Sequence, residues 1–295
     1  VSTAKIILFV LLGADAALFC VIWARDLMRR PERRLPSLFQ FFVGAVTDFF
    51  DTLGIGSFAT TTSLYRLRRT VADEKIPGTL NIGHALPTVT QALIFITIMK
   101  VEMTTLILLI GSSVLGAWLG ARVVTRLPKR RIQIGMALAL LAAAAFLLGG
   151  IFNRMPKGGT AIGLEGPALV TAIVGNFVFG SLMTIGIGAY APIMTMVSLL
   201  GMDPDVAFPI MMGSCAFLMP VAGVRFIGKQ KYDPGAALGL TIAGIPAVLA
   251  AAFIVEKMRL DVVRWLVVVV VIYTALSMLW SAWSAQSGTQ SNNEP

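Results

Sequence analysis

Residues 38–64 read LFQFFVGAVTDFFDTLGIGSFATTTSL, an apolar run broken at its centre by Gly54-Ile55-Gly56. As one helix it would extend about 40 Å, against a bilayer core of about 30 Å. Basic residues flank both ends: Arg33 and Arg34 before it, Arg66, Arg68 and Arg69 after it. Lys and Arg collect in cytoplasmic loops, so both ends fall on one side. One crossing cannot return to its own side, but a re-entrant hairpin of two half-helices turning at the glycines can. Such interrupted backbone survives in a membrane only when buried in protein or lining a cavity.

The oddity recurs. Residues 167–200 form a second long run, broken by Gly186-Ile187-Gly188 and followed by Asp203 and Asp205 with no basic residue between them. Both of its ends read as external, so this hairpin enters from the opposite face. Thr52-Leu53-Gly54-Ile55-Gly56 matches Thr184-Ile185-Gly186-Ile187-Gly188, and Ile82-Gly83 matches Met212-Gly213. Three ordinary spans follow each run: 76–99, 104–124 and 132–151 after the first, 206–227, 236–255 and 262–282 after the second. A hairpin plus three spans is an odd number of crossings, which inverts one half relative to the other. Inverted repeats with broken helices describe secondary transporters whose site lies between the repeats near the bilayer midplane.

Composition agrees. Of 295 residues, 57% are hydrophobic and 13% charged, and the mean hydropathy is +0.83. Soluble domains are about 45–50% apolar and about 25% charged. Disorder is excluded by this hydrophobicity, and a disulfide scaffold by the presence of two distant cysteines, Cys20 and Cys215. The net charge of +9 sits in clusters between apolar runs, such as Arg122, Arg126, Lys129, Arg130 and Arg131, and sets topology rather than nucleic-acid binding.

The expected fold class is an all-α polytopic membrane protein: two inverted repeats, each a re-entrant broken-helix hairpin plus three transmembrane helices, with an extra N-terminal transmembrane helix. Its divisions are 1–36 (N-terminal helix and basic cytoplasmic loop), 37–151 (repeat 1), 152–166 (external linker), 167–283 (repeat 2) and 284–295 (disordered tail). The N-terminal run is a span rather than a signal peptide, because its basic cluster follows it; Asp15 in its middle reads as an acid facing other helices or water. The chain begins with Val1 rather than Met, which leaves room for a native start upstream. The loop holding Glu256, Lys257, Arg259, Asp261 and Arg264 is expected outside, although slightly basic.

At each hairpin tip a half-helix begins, and its first N–H groups lack intrahelical partners at the positive end of the dipole. Two tips meeting at the midplane make an anion site without a buried Arg or Lys. The substrate-binding candidates are Gly54, Gly56, Ser57, Phe58, Thr60 and Thr61 at the first tip and Gly186, Gly188, Ala189 and Tyr190 at the second. The spans after the hairpins add Thr79, Asn81 and His84, and Ser214. Pro87 frees the carbonyl of Gly83. Asp48 and Asp51 share a face at i and i+3 and are candidates for H⁺ or Na⁺ coupling; the other reading of them is helix-start acids paired with Arg66 or Arg68. Gln91 and Asn176 read as interhelical glue. No cofactor and no metal site is expected, since no His/Cys/carboxylate cluster has ligand spacing.

Phe49-Phe50-Asp51-Thr52-Leu53-Gly54-Ile55-Gly56-Ser57-Phe58-Ala59, Ile76-Pro77-Gly78-Thr79-Leu80-Asn81-Ile82-Gly83-His84 and Gly186-Ile187-Gly188-Ala189-Tyr190-Ala191-Pro192 resemble the signatures of the sulfite exporter TauE/SafE family, over about residues 38–282. Many members carry a run of glycines after the first break, where this chain has Ser57 and Phe58. The resemblance implies a multi-pass permease of the bacterial cytoplasmic (inner) membrane moving sulfite, a sulfonate or another organosulfur anion. Its expected partners are a small anionic substrate, membrane lipid and further copies in a homo-oligomer, with no nucleic acid. An anion channel and, behind it, a membrane-embedded enzyme stay open as alternatives. No Gly-x-x-x-x-Gly-Lys-Ser/Thr loop is present to use ATP, nor a His-Glu-x-x-His or Gly-x-Ser-x-Gly motif.

Overall fold

The computed structural model describes residues 3–30, 35–154, 158–186 and 188–254, with isolated positions between Trp265 and Trp283. The expected last span at 262–282 and the polar tail lie largely or wholly outside the described residues. The described residues are all-helical, 81% of them in helix, and hold no strand beyond an isolated bridge between Ala161 and Met202. Among the described residues, seven helical stretches are long and apolar enough to cross a membrane.

Helix α1, Thr3–Arg29, buries Leu8, Leu12, Phe19 and Trp23, a stripe at helical spacing, and turns Ile7, Val10, Leu11 and Leu18 outward. An apolar face left exposed on an apolar helix is one suited to lipid. Helix α2, Leu38–Thr52, begins with a capping box: Gln40 N–H donates to Ser37 Oγ at 3.3 Å, and Ser37 N–H donates to Gln40 Oε1 at 2.8 Å. These two bonds satisfy donors the helix itself leaves orphaned. Helix α2 stops at the glycines. Gly54 and Gly56 have φ of 87° and 88°, a region that a Cβ disfavours, and the chain restarts as α3, Ser57–Arg68. With 15 and 12 residues, the two arms are about 22 and 18 Å long, too short to span.

The first following span is α4, Ile76–Gly83, and α5, Ala85–Ile98, joined at His84. The join is a kink, not a break: His84 N–H donates to Leu80 O, and Thr88 N–H to His84 O. Pro87 cannot donate to Gly83 O, and Thr241 Oγ1 takes that carbonyl at 2.7 Å. Helices α6, Met103–Val124, and α7, Lys129–Ile151, complete the half. The second half also opens on a broken run. Helix α8, Gly166–Met183, gives way to a turn that holds Gly186, φ 107°, and α9, Tyr190–Leu199, follows the break. Then come α10, Ala207–Gly228, and α11, Pro234–Ile254. Helix α8, at 18 residues, is longer than its counterpart α2 and is itself long enough to cross.

Each half's first broken arm packs on a long helix of the other half: α2 along α11, and α8 along α6. Glycines bring the backbones together. A Cβ at Gly44 would lie 2.7 Å from Leu240 Cα, and one at Gly180 would collide with the Ser113 carbonyl. Without water to drive apolar association, close van der Waals approach through small residues holds membrane helices together. Helix α10 runs through the centre, buried along most of its length, and touches α1, α4, α5, α6, α8 and α9.

Candidate functional site

The two helix breaks meet. A small cavity of about 20 Å³ is lined from the first break by Asp51, Gly56, Ser57 and Phe58, and from the second by Gly188 and Ala189. Thr88 of α5, Met183 of α8, and Met211, Met212, Cys215 and Met219 of α10 complete the wall. That volume is about one water. A Cβ at Gly188 would sit 3.9 Å from Phe58 Cβ, so the two tips touch here.

The polar groups around it are buried and held mostly by the first half. Asp51 stands in the last turn of α2 and reaches over the glycine turn: its Oδ1 accepts from Ser57 N–H, the first residue of α3, at 2.6 Å. Its Oδ2 accepts from Gln91 Nε2 at 3.0 Å, and the same amide donates to Thr52 Oγ1 at 2.9 Å. One turn earlier on α2, Asp48 Oδ1 lies 2.7 Å from His84 Nδ1. His84 Nε2 lies 3.0 Å from Thr61 Oγ1. Nδ1 thus faces the Asp48 carboxyl and Nε2 the Thr61 hydroxyl, the donor and acceptor roles following the ring's tautomer. The Phe58 ring lies over His84 at 5.9 Å between centroids.

Three buried polar atoms of this network and cavity wall make no hydrogen bond: Asp48 Oδ2, Thr88 Oγ1 and Gln91 Oε1. Buried polar atoms normally find partners, so such a cluster marks a place with spare bonding capacity. Gly244 of α11 leaves the space that Asp48 occupies, since a Cβ there would collide with its carboxylate.

The remaining sequence-predicted residues are placed as follows. Gly54 forms the turn. Thr60 Oγ1 donates back to the carbonyls of Gly56 and Ser57, at 3.1 and 2.8 Å, the local bonding common for threonine. Thr79 Oγ1 donates to Lys75 O and accepts from Asp233 N–H, tying α4 to the start of α11. Asn81 Nδ2 donates to Pro77 O. Ser214 Oγ accepts from Asn176 Nδ2 at 3.0 Å, and that amide also donates to Leu109 O at 2.6 Å, so Asn176 does bridge helices. Gly186 sits in its turn with Leu80 and Met136 nearby. Tyr190 is the first residue of α9; its side chain and Ile187 lie outside the described residues.

Arg66 pairs with Asp73, which also accepts from Gln133, while the basic partner of Asp48 is His84. With both ring nitrogens engaged by Asp48 and Thr61, His84 is not aimed at Ser57. Thr88 and the cavity methionines were not foreseen. Thr88 had a signal, because His84, Thr88 and Gln91 fall on one helical face at i, i+4 and i+7. Among the described residues, no three His, Cys, Asp or Glu side chains group to hold a metal ion.

A larger, open groove of about 450 Å³ lies between α1, α6 and α10, lined by Asp15, Phe19, Trp118, Pro220, Arg225 and Lys229 among others. It opens beside the outward apolar residues Leu18 and Trp118 and includes neither helix break, so the site is better placed at the smaller cavity between the breaks.

Residues 1–147 match the family model described as Sulfite exporter TauE/SafE. The match includes α1, ahead of the motifs that carried the resemblance, and covers the first broken run through most of α7. No curated protein and no solved structure matches the chain. On the half that carries this match, with both helix breaks gathered on one buried polar cavity, the chain belongs to the TauE/SafE family of membrane transporters.

Proposed function

We propose that this protein is a secondary transporter that moves a small anion, sulfite or an organosulfur anion such as a sulfonate, across the bacterial cytoplasmic membrane by alternating access. The observation that carries the reading is the convergence of both helix breaks on one cavity, lined by Ser57 and Phe58 from one tip and Gly188 and Ala189 from the other. Helix N-termini offer free N–H groups and positive dipole ends to an anion. The exchange of packing, α2 on α11 and α8 on α6, supports an inverted repeat, because related halves make related contacts. Asp48 and Asp51 are the proposed coupling groups, for H⁺ or Na⁺.

A cavity of about 20 Å³ admits no sulfonate, so the walls must part to load and to release one. That requirement favours a carrier over an open pore. The test is uptake of labelled sulfite, thiosulfate, taurine and sulfoacetate into proteoliposomes, with and without a proton or sodium gradient. Saturable counterflow of one of these supports the carrier; flux that never saturates supports a channel. No flux of any of them under any gradient rejects the reading.

A further inference from the structure

The amide seat at the start of α3 is already taken, and its occupant is the protein's own carboxyl group. Asp51 Oδ1 takes the Ser57 N–H at 2.6 Å, at the short end of charge-assisted bonds. It reaches the amide because Gly54 and Gly56, both at positive φ, fold α3 back against the end of α2. The second half has no equivalent: the position matching Asp51 is Met183, whose sulfur faces Cys215 Sγ at 3.4 Å, and Ala189 gives α9 no side-chain cap. Beside the occupied seat is a donor without an acceptor. Thr88 Oγ1 makes no hydrogen bond, and Thr88 is 1% exposed and lines the cavity. A buried hydroxyl left unbonded on the wall of this cavity points to a ligand oxygen that completes it.

A substrate anion arriving there meets the Asp51 carboxylate. Both are acceptors for the same N–H, and the cavity they would share is about 20 Å³. The other groups facing Asp51 do not neutralise it outright. Asp48 stands on its own helix; His84, from the α4–α5 junction, is bound to Asp48; Cys215 faces it from α10 and Met183 from α8; Gln91 reaches it from α5. On α3, Tyr65 donates to Ala236 O, and ahead of α11 Asp233 accepts from Ala236 N–H.

We propose that Asp51 is a resident anion that closes the first-half seat, and that a substrate anion takes this seat only together with a proton that neutralises Asp51. The step balances as one proton from the aqueous phase added to one carboxylate oxygen. The neutral acid then releases the Ser57 N–H to the substrate and can donate its own O–H to it. This rests on the anion-transport reading above and adds to it one proton bound per anion at a named atom.

The experiment measures binding of methanesulfonate, whose charge is fixed between pH 5 and pH 8, to the full-length purified protein by titration calorimetry. The expected result is an affinity that falls by about tenfold per pH unit once Asp51 is ionised, as linkage of one proton requires. Asp51→Asn should bind at every pH with nearly one affinity, equal to the low-pH affinity of the unaltered chain, and Thr88→Val should weaken binding throughout. Titration of the unaltered protein in two buffers of different ionisation enthalpy should show about one proton taken up per anion, which tests the claim even if Asp51→Asn does not fold. Binding with no proton uptake, or a pH slope that persists in Asp51→Asn, overturns the role of Asp51 while the anion site stands. Failure of methanesulfonate, sulfite and sulfate to bind either protein at any pH overturns the anion site itself and the proposal with it.

Discussion

Asp48 and His84 meet at 2.7 Å with both side chains wholly buried, joining the middle of α2 to the kink between α4 and α5. Neither group can be removed without stranding the other. His84→Ala should destabilise the protein by about 3–5 kcal/mol, the typical cost of breaking a buried pair from one side. Asp48→Ala together with His84→Ala should cost less than the sum of the two single changes, by about 1 kcal/mol or more. Thermal unfolding of the four proteins in one detergent checks this; strict additivity would mean the pair does not act as a unit.

Glycines divide by surroundings. Gly44→Ala would drive a Cβ to 2.7 Å from the Leu240 backbone and should cost about 1–3 kcal/mol by overpacking. Gly13, on α1, has nothing within 4 Å of an added Cβ, so Gly13→Ala should be neutral or gain up to about 1 kcal/mol in helix propensity. A comparison of unfolding temperatures separates the two.

Gly56 is a third case. Its added Cβ would meet nothing within 4 Å, yet its φ is +88°. Gly56→Ala should therefore cost about 1–2 kcal/mol through backbone strain alone. It should also slow transport, because the α2–α3 turn sets the aim of the Ser57 amide; unaltered flux would detach that turn from the mechanism.

Glu102 caps α6 outside the spans, accepting from Thr104 N–H at 2.8 Å and Thr105 N–H at 2.6 Å. Partial burial pushes its carboxyl up, but these bonds outweigh it and bring it from the usual 4.5 down to about 2. A lowered folded value favours the fold above the unfolded value and loses that contribution as pH falls through the folded one. Glu102→Gln should therefore lower the unfolding temperature at pH 7, and the gap between the two proteins should close as pH falls from about 4.5 toward about 2.

The breaks were legible because Gly-Ile-Gly in the middle of an apolar run has few uses inside a straight helix, and it stands at matching places in both halves. The kink at Pro87 was legible for a similar reason: a missing donor leaves a carbonyl free, and Thr241 of α11 takes it. The Asp51 cap was not. It depends on how far two positive-φ residues swing α3 back, which no spacing rule specifies. The carboxylates of Asp48 and Asp51 were expected either to couple ions or to meet Arg66 or Arg68. Arg66 has a nearer acid in Asp73, while His84 is carried onto Asp48 by the packing of α2, α4 and α11, a tertiary fact. The same holds for Met183, Met211 and Met219, whose place on the cavity wall follows from where α8 and α10 lie, not from their own segments.

The exchanged pairing of α2 with α11 and α8 with α6 has a consequence for half-length chains. Residues 1–147 would leave Gly44 and Asp48 without the helix that covers them, and would leave α6 with a vacant glycine furrow at Gly116 and Gly120 where α8 belongs. A fragment of this kind is expected to take the missing surfaces from a sibling molecule, each lending the other its long helix.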